Sequence, residues 1–344
     1  GAMRAISYDR YGATPELVDL PDPECPPDGA VVAVRATGVC RSDWHAWRGH
    51  DPVPLPMVPG HEFAGAVAAI GPLARGFSVG DRVTAPFVNG CGRCDWCVSG
   101  QAQVCPDQTQ PGFTHAGSFA ELVVVRRADF NLIRLPDAID FVTAASLGCR
   151  FATSYHALVE RARLAAGEWV LVIGCGGVGL SAVLVARALG ARVLAVDPSP
   201  SARDRAAELG AELVMAQADP DAVGDLTGGG AHVSMDAVGS AATAAACVRG
   251  LRRRGRHVQV GLMLGENADA PLPWGPVVAR ELVVSGSHGM AAVDYPGLLD
   301  LIESGSLDPR PLVGRVVGLA QAGEELMALD RLVPAAAGIV VATV

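Results

Sequence analysis

Residues 169–197 constrain this chain more than any other stretch. Trp169 to Ile173 is a continuous apolar run that leads directly into Gly174-Cys175-Gly176-Gly177-Val178-Gly179. A helical pattern then reaches Leu189, and a second run, Arg192 to Val196, ends on Asp197. An apolar run with no polar alternation fits a parallel strand buried on both faces. The glycines allow a tight turn and let an anion approach the free N–H groups and positive dipole end of the next helix. Asp197, 18 residues beyond Gly179, stands where a ribose hydroxyl would be held. Strand, glycine turn, helix, strand and acid in this order predict a dinucleotide site. Further runs at Val233–Val238, Arg256–Val260 and Leu282–Ser285 extend the pattern into a doubly wound parallel sheet of roughly six strands.

The segment before residue 140 has a different texture. Residues 3–35 alternate apolar and polar positions between turn-forming prolines, and 117–135 are also β-rich, so antiparallel strands are expected. Phe141 to Val159 is helical in pattern; Tyr295 to Glu303 is a second helix, and the last residues read as strands returning to the first domain. At 344 residues the chain is long enough for two cores. The division expected is 1–150 with 291–344 as a β-rich catalytic domain and 151–290 as the nucleotide-binding domain.

Charge and composition exclude several classes. With a net charge of −9 and no aromatic-basic stripe, nucleic acid is not an expected partner. The densest basic run, Arg252 to Arg256, reads as a solvated turn before a strand. All 27 basic residues are arginine, so no lysine can serve as a Schiff-base nucleophile or a P-loop cation. No apolar run is long enough for a bilayer, and Gly1-Ala2 ahead of Met3 reads as a cleavage remnant.

Cys91, Cys94, Cys97 and Cys105 fall within fifteen residues. Short Cys-x-x-Cys steps deliver thiolates from tight turns, as tetrahedral zinc requires, and four protein ligands leave no position for substrate. A structural zinc lobe over 90–106 is expected. Nine cysteines without a secretory leader point to a reducing cytoplasm.

Two further motifs are dense in chemistry: Gly38-Val39-Cys40-Arg41-Ser42-Asp43, followed by Trp44-His45, and Gly60-His61-Glu62. Together with the cysteine lobe and the glycine turn ending on Asp197, they resemble the zinc-dependent alcohol dehydrogenases of the medium-chain dehydrogenase/reductase superfamily over nearly the full length. The resemblance implies a GroES-like catalytic domain joined to a Rossmann domain. It makes Cys40, His61 and Cys149 ligands of a catalytic zinc, giving two zincs per chain, and leaves a fourth position open. Asp43 would orient His61, and Glu62 would lie behind the metal. Zinc would acidify an alcohol, and hydride would pass to the nicotinamide of NAD. Ser42 and His45 would carry the released proton outward.

For the cofactor, the resemblance points to Arg41, Thr153, Gly174, Gly176, Gly177, Val178, Gly179, Asp197, Val238, Gly239, Gly261 and Leu262. Asp197 would repel a 2′-phosphate, favouring NAD over NADP. Where many relatives carry an arginine near the C-terminus, this chain has Gly338-Ile339; Arg150 is the residue that could replace it. Trp44, Trp47, Phe87, Phe113 and Trp274, with Met290, would line a pocket for a hydrophobic or aromatic alcohol or carbonyl compound. A homodimer or homotetramer is implied. The competing reading is a reductase of C=C or C=N bonds with zinc idle or absent; it does not account for Cys40, Ser42 and His45 together. A non-catalytic zinc and nucleotide binder would need none of them.

Overall fold

The computed structural model describes residues 1–331 and 338–344. Two sheets organise the chain. The first has seven strands, along the path Val313–Gly318, Ile339–Thr343, Ala30–Val39, Glu62–Ile70, Arg82–Thr84 and Ile133–Arg134, with Leu122–Val125 paired to Ala30–Val39. The strand Ile339–Thr343 runs antiparallel to Ala30–Val39, so the chain end does return to the first sheet. A separate hairpin pairs Ala2–Ser7 with Glu16–Pro21.

The second sheet is parallel throughout and has six strands. Their order is Leu213–Met215, Arg192–Val196, Trp169–Ile173, Ala231–Asp236, Leu251–Gln259, Val283–Gly286. The order reverses beside Trp169–Ile173, which is where ligands bind in an open α/β sheet. All five residues of that strand are buried, consistent with cover on both faces.

The helical run after residue 140 extends from Phe141 to Arg161 without a break, but two of its turns, Leu147–Phe151 and Ala157–Arg161, are π-helical. Such turns rotate the side chains that follow them and concentrate at functional sites. Its apolar face joins the sheets: Phe151 and Leu158 share one buried cluster with Val172 and Met235 of the parallel sheet and with Ile339 and Val341 of the other.

The arginine run departs from its expected place in a turn. Arg252, Arg253 and Arg254 already belong to the strand Leu251–Gln259. The local register is broken between Ala231 and Val233, and Arg254 has a φ of 63°. Arg252 donates to Gly230 O and Arg256 pairs with Glu168 at 2.6 Å. Satisfied guanidinium groups let these arginines stay at the end of the strand.

Candidate active site and metal centres

Cys40 closes the strand Ala30–Val39 and caps the helix Arg41–Trp47. The buried Asp43 in that helix accepts three hydrogen bonds: from the Cys40 N–H at 3.1 Å, from the Gly60 N–H at 3.2 Å, and from His61 Nδ1 at 2.8 Å. One carboxylate thus fixes two loops and the tautomer of one imidazole. Gly60 has a φ of 110°, and a Cβ there would lie 2.6 Å from Ser118 Oγ, so glycine is required where the chain turns His61 inward. Cys149 arrives on the first π-helical turn, 88 residues beyond His61 (149 − 61). Tyr295 steadies that turn by donating to Gly148 O at 3.2 Å.

The donor atoms of Cys40, His61 and Cys149 lie within 4.8 Å of one another. His61 Nε2 is buried and has no hydrogen-bond partner among the described residues. A buried imidazole nitrogen without a partner is costly, and a metal ion held with the two thiolates would satisfy it. The Cys149 thiol and then Arg150 and His61 pull the Cys40 thiol well below its usual range, while the Cys149 thiol is pushed up by Cys40 and by burial. Opposite shifts on two adjacent thiols are the arrangement that a bound cation resolves.

Glu62 is buried behind this centre and pairs with Arg150 at 2.7 Å. Burial pushes its carboxyl up, against the pull of Arg150. The stem of Arg150 crosses to the glycine turn: a Cβ on Gly177 would lie 2.4 Å from Arg150 Cδ. A single residue next to Cys149 therefore touches the start of the helix Gly177–Ala188.

The glycine turn is built as its sequence implied. Gly174 has a φ of 97°, and a Cβ on Gly179 would come within 1.7 Å of Gly174 O. Around Gly176 there is open space, which leaves the backbone approachable. Asp197 accepts from the Cys175 N–H at 2.9 Å and the Ser199 N–H at 2.8 Å, so the acid also braces the turn. Arg203 donates to the carbonyls of Asp197 and Pro198. Val178 O accepts from Ser154 Oγ, one residue from the buried Thr153. Val238–Gly239 and Gly261–Leu262 lean on each other beyond the ends of two parallel strands.

The cysteine lobe contrasts in being local. Sγ of Cys91 and Cys97 are 4.0 Å apart, and those of Cys94 and Cys105 are 3.8 Å apart. Tetrahedral ligands at about 2.3 Å from zinc lie about 3.8 Å from each other, whereas a disulfide needs about 2.05 Å. Backbone N–H groups of Arg93, Cys94 and Cys97 point at the sulfurs, which favours thiolates.

Of the aromatic side chains expected around substrate, Phe87 and Phe113 flank His61, with ring centroids 5.9 and 5.3 Å from it. Trp44 is half-buried and donates to Asp330 Oδ1 at 2.8 Å, with Arg41 stacked on its ring. Trp47 does not fit the expectation: it is 2% exposed, donates to Ala13 O at 2.7 Å and packs in the core. Met290 is also core. Trp274 is 59% exposed at the start of a surface helix. Ser42 and His45 stand on the same short helix as Asp43. Sequence reasoning missed His50, whose Nδ1 lies 3.1 Å from that of His45, and Asp330, which holds Trp44 from 286 positions away.

A largely buried Cys–His–Cys centre beside the glycine turn of a doubly wound sheet defines a metal-dependent dehydrogenase. Residues 26–137 match the alcohol dehydrogenase GroES-like domain, and residues 177–304 match the zinc-binding dehydrogenase domain. An alcohol dehydrogenase of Geobacillus stearothermophilus is 34% identical over 291 residues, 83% of this chain and 84% of the relative. A solved NAD-dependent alcohol dehydrogenase is 31% identical with a TM-score of 0.88, covering 99% of this chain and 100% of that one. The benzyl alcohol dehydrogenase of Acinetobacter calcoaceticus is 25% identical with a TM-score of 0.91, covering 100% and 99%. The chain belongs to the zinc-dependent alcohol dehydrogenases of the medium-chain dehydrogenase/reductase superfamily.

Proposed function

We propose that this enzyme interconverts hydrophobic or aromatic alcohols with their aldehydes or ketones, using NAD. The observation that carries the reading is the buried, unpartnered Nε2 of His61 beside two thiols. Cys40, His61 and Cys149 would hold one zinc, and Cys91, Cys94, Cys97 and Cys105 the other. The first zinc supplies Lewis acidity that lowers the pKa of an alcohol hydroxyl and polarises a carbonyl.

The chain's own residues do the rest. Asp43 fixes His61 so that its Nε2 faces inward. Phe87 and Phe113 form an apolar wall beside it, which excludes water and favours an aryl or alkyl group; the match to a benzyl alcohol dehydrogenase points the same way. Ser42 and His45, both on the helix Arg41–Trp47, would carry the released hydroxyl proton outward, Ser42 on the substrate side and His45 on the solvent side. Burial, then His50 and Arg41, hold the pKa of His45 below its usual value, so it is neutral and ready to accept. Asp197 would accept hydrogen bonds from the adenosine ribose and would disfavour a 2′-phosphate. Thr153, Val238, Gly239, Gly261 and Leu262 would hold the nicotinamide half, and Arg41 the pyrophosphate. Arg150 holds Glu62 and lies against Gly177, where it would take the role of the arginine missing at Gly338-Ile339.

We assign residues 1–150 and 291–344 to the catalytic domain and 151–290 to the cofactor domain. A cytoplasmic homodimer or homotetramer fits the thiolate-rich centres and the edge strand Val283–Gly286, which among the described residues is paired on one side only. Among the described residues no helix is long and apolar enough to cross a membrane. The test is NADH formation from a panel of benzylic, aliphatic and polyol alcohols, with and without chelator. Activity on polyols alone, or activity indifferent to chelation, overturns the reading.

A further inference from the structure

We propose that His50 is the outward half of a two-imidazole proton path, taking the proton from His45 and delivering it to solvent. The inference rests on the His45 relay described above and extends it by one residue.

The pair is constructed by the turn that ends the helix Arg41–Trp47. Gly49, with a φ of 79°, folds the chain back, and the His50 N–H donates to His45 O at 2.9 Å. The two imidazoles then face each other, Nδ1 to Nδ1, at 3.1 Å. Both lie edge-on to Trp44, with ring centroids 5.0 and 5.2 Å away, and Trp44 is itself tied to Asp330. Around the pair stand Cys40 and Arg41 on the helix, Asp51 on the outgoing loop, and the Arg48–Asp330 pair behind Trp44. His50 is exposed and His45 is half-buried, so of the two rings His50 is the one open to water.

The separation dictates the proton count. Two nitrogens 3.1 Å apart can share one hydrogen; two hydrogens would collide and none would leave lone pairs opposed. With the hydrogen on His45 Nδ1, His45 Nε2 carries a lone pair and His50 Nε2 carries a hydrogen. A proton arriving at His45 Nε2 forms an N–H bond there. The His45 Nδ1–H bond breaks as an Nδ1–H bond forms on His50, and the His50 Nε2 proton leaves to water. One proton enters and one leaves. The hydrogen bond between the rings ends with its direction reversed, which is the arrangement that carries a proton inward when a carbonyl is reduced.

The test uses the NAD-loaded, zinc-replete enzyme in a single turnover of benzyl alcohol, with a pH-indicator dye for proton release and absorbance for NADH. His50→Gln keeps a hydrogen-bonding side chain but cannot titrate. In weakly buffered solution, proton release from His50→Gln is expected to slow on the order of tenfold. Added imidazole is expected to restore it, with NADH affinity unchanged. Release as fast as in the native enzyme, or slowing that imidazole does not relieve, overturns the proposal. His45→Gln separates the two levels. If it releases protons at the native rate, the relay itself fails; if it is slow while His50→Gln is fast, only the extension fails.

Discussion

The cysteine lobe and the Cys–His–Cys centre use the same element types in opposite ways. The lobe draws four sulfurs from fifteen consecutive residues, and turn N–H groups already point at them. The N–H groups that face its sulfurs are as local as its ligands, although the lobe also packs against Phe130 and Ala291. The other centre collects three ligands across 110 positions (149 − 40 + 1), with an acid, two loops and a π-helical turn needed to converge them. A local four-ligand site closes on its ion and can only hold structure. A dispersed three-ligand site leaves a position free, and the π-helical turn that carries Cys149 also sets Arg150 against the glycine turn at Gly177.

The largest expected effect breaks the pair at its open member. Cys40→Ser removes a thiolate ligand, and losing several kcal/mol of charge stabilisation corresponds to roughly a thousandfold or more in rate. Metal analysis is expected to fall from two zincs to one, with far-UV circular dichroism unchanged. The complementary change, Cys97→Ser, is expected to lose the other zinc and lower Tm by about ten degrees, while kcat of the folded fraction at low temperature stays within about twofold. If Cys97→Ser abolishes turnover in enzyme that remains folded, the lobe is not silent and the contrast collapses.

These two regions also differ in how far the sequence revealed them. Cys91 to Cys105 and Gly174 to Asp197 are chain-local, so spacing alone displays their geometry. Cys149 was named through resemblance, since one thiol in a helix carries no spacing signal of its own. Trp47 looked like a pocket wall because it neighbours Trp44, but helix rotation sends it into the core under the Ala13 carbonyl. The Trp44–Asp330 bond joins residues 286 apart, which no local pattern contains. The Arg252–Arg256 run was misplaced because its partners, Gly230 and Glu168, come from loops that lead into two other strands of the sheet, far away in sequence.

Asp43→Asn gives a smaller effect and sharpens the same contrast. The amide keeps the shape but weakens its acceptance from His61 Nδ1 and from the Cys40 and Gly60 N–H groups. Zinc affinity at the open centre is expected to fall about 10- to 100-fold. Competition with a chelator would show one zinc released earlier than in the native enzyme and the other unmoved. Equal loosening of both zincs would mean that Asp43 acts through overall stability and not through His61.

Arg150→Lys is expected to act least, because the charge survives. Its guanidinium pairs with Glu62 through Nη2 at 2.7 Å and more loosely through Nε at 3.4 Å, and its stem fills the space above Gly177. Lysine could keep one bond to the carboxylate but not the planar fork. If the fork also serves the cofactor pyrophosphate, losing one charge-assisted bond of about 1–2 kcal/mol weakens NAD binding roughly five- to thirtyfold. Titration of NADH fluorescence measures this directly, and the zinc count is expected to stay at two. Unchanged NADH affinity with a shifted rate would confine Arg150 to holding Glu62. In that case the dispersed centre and the cofactor turn would be neighbours without sharing a residue.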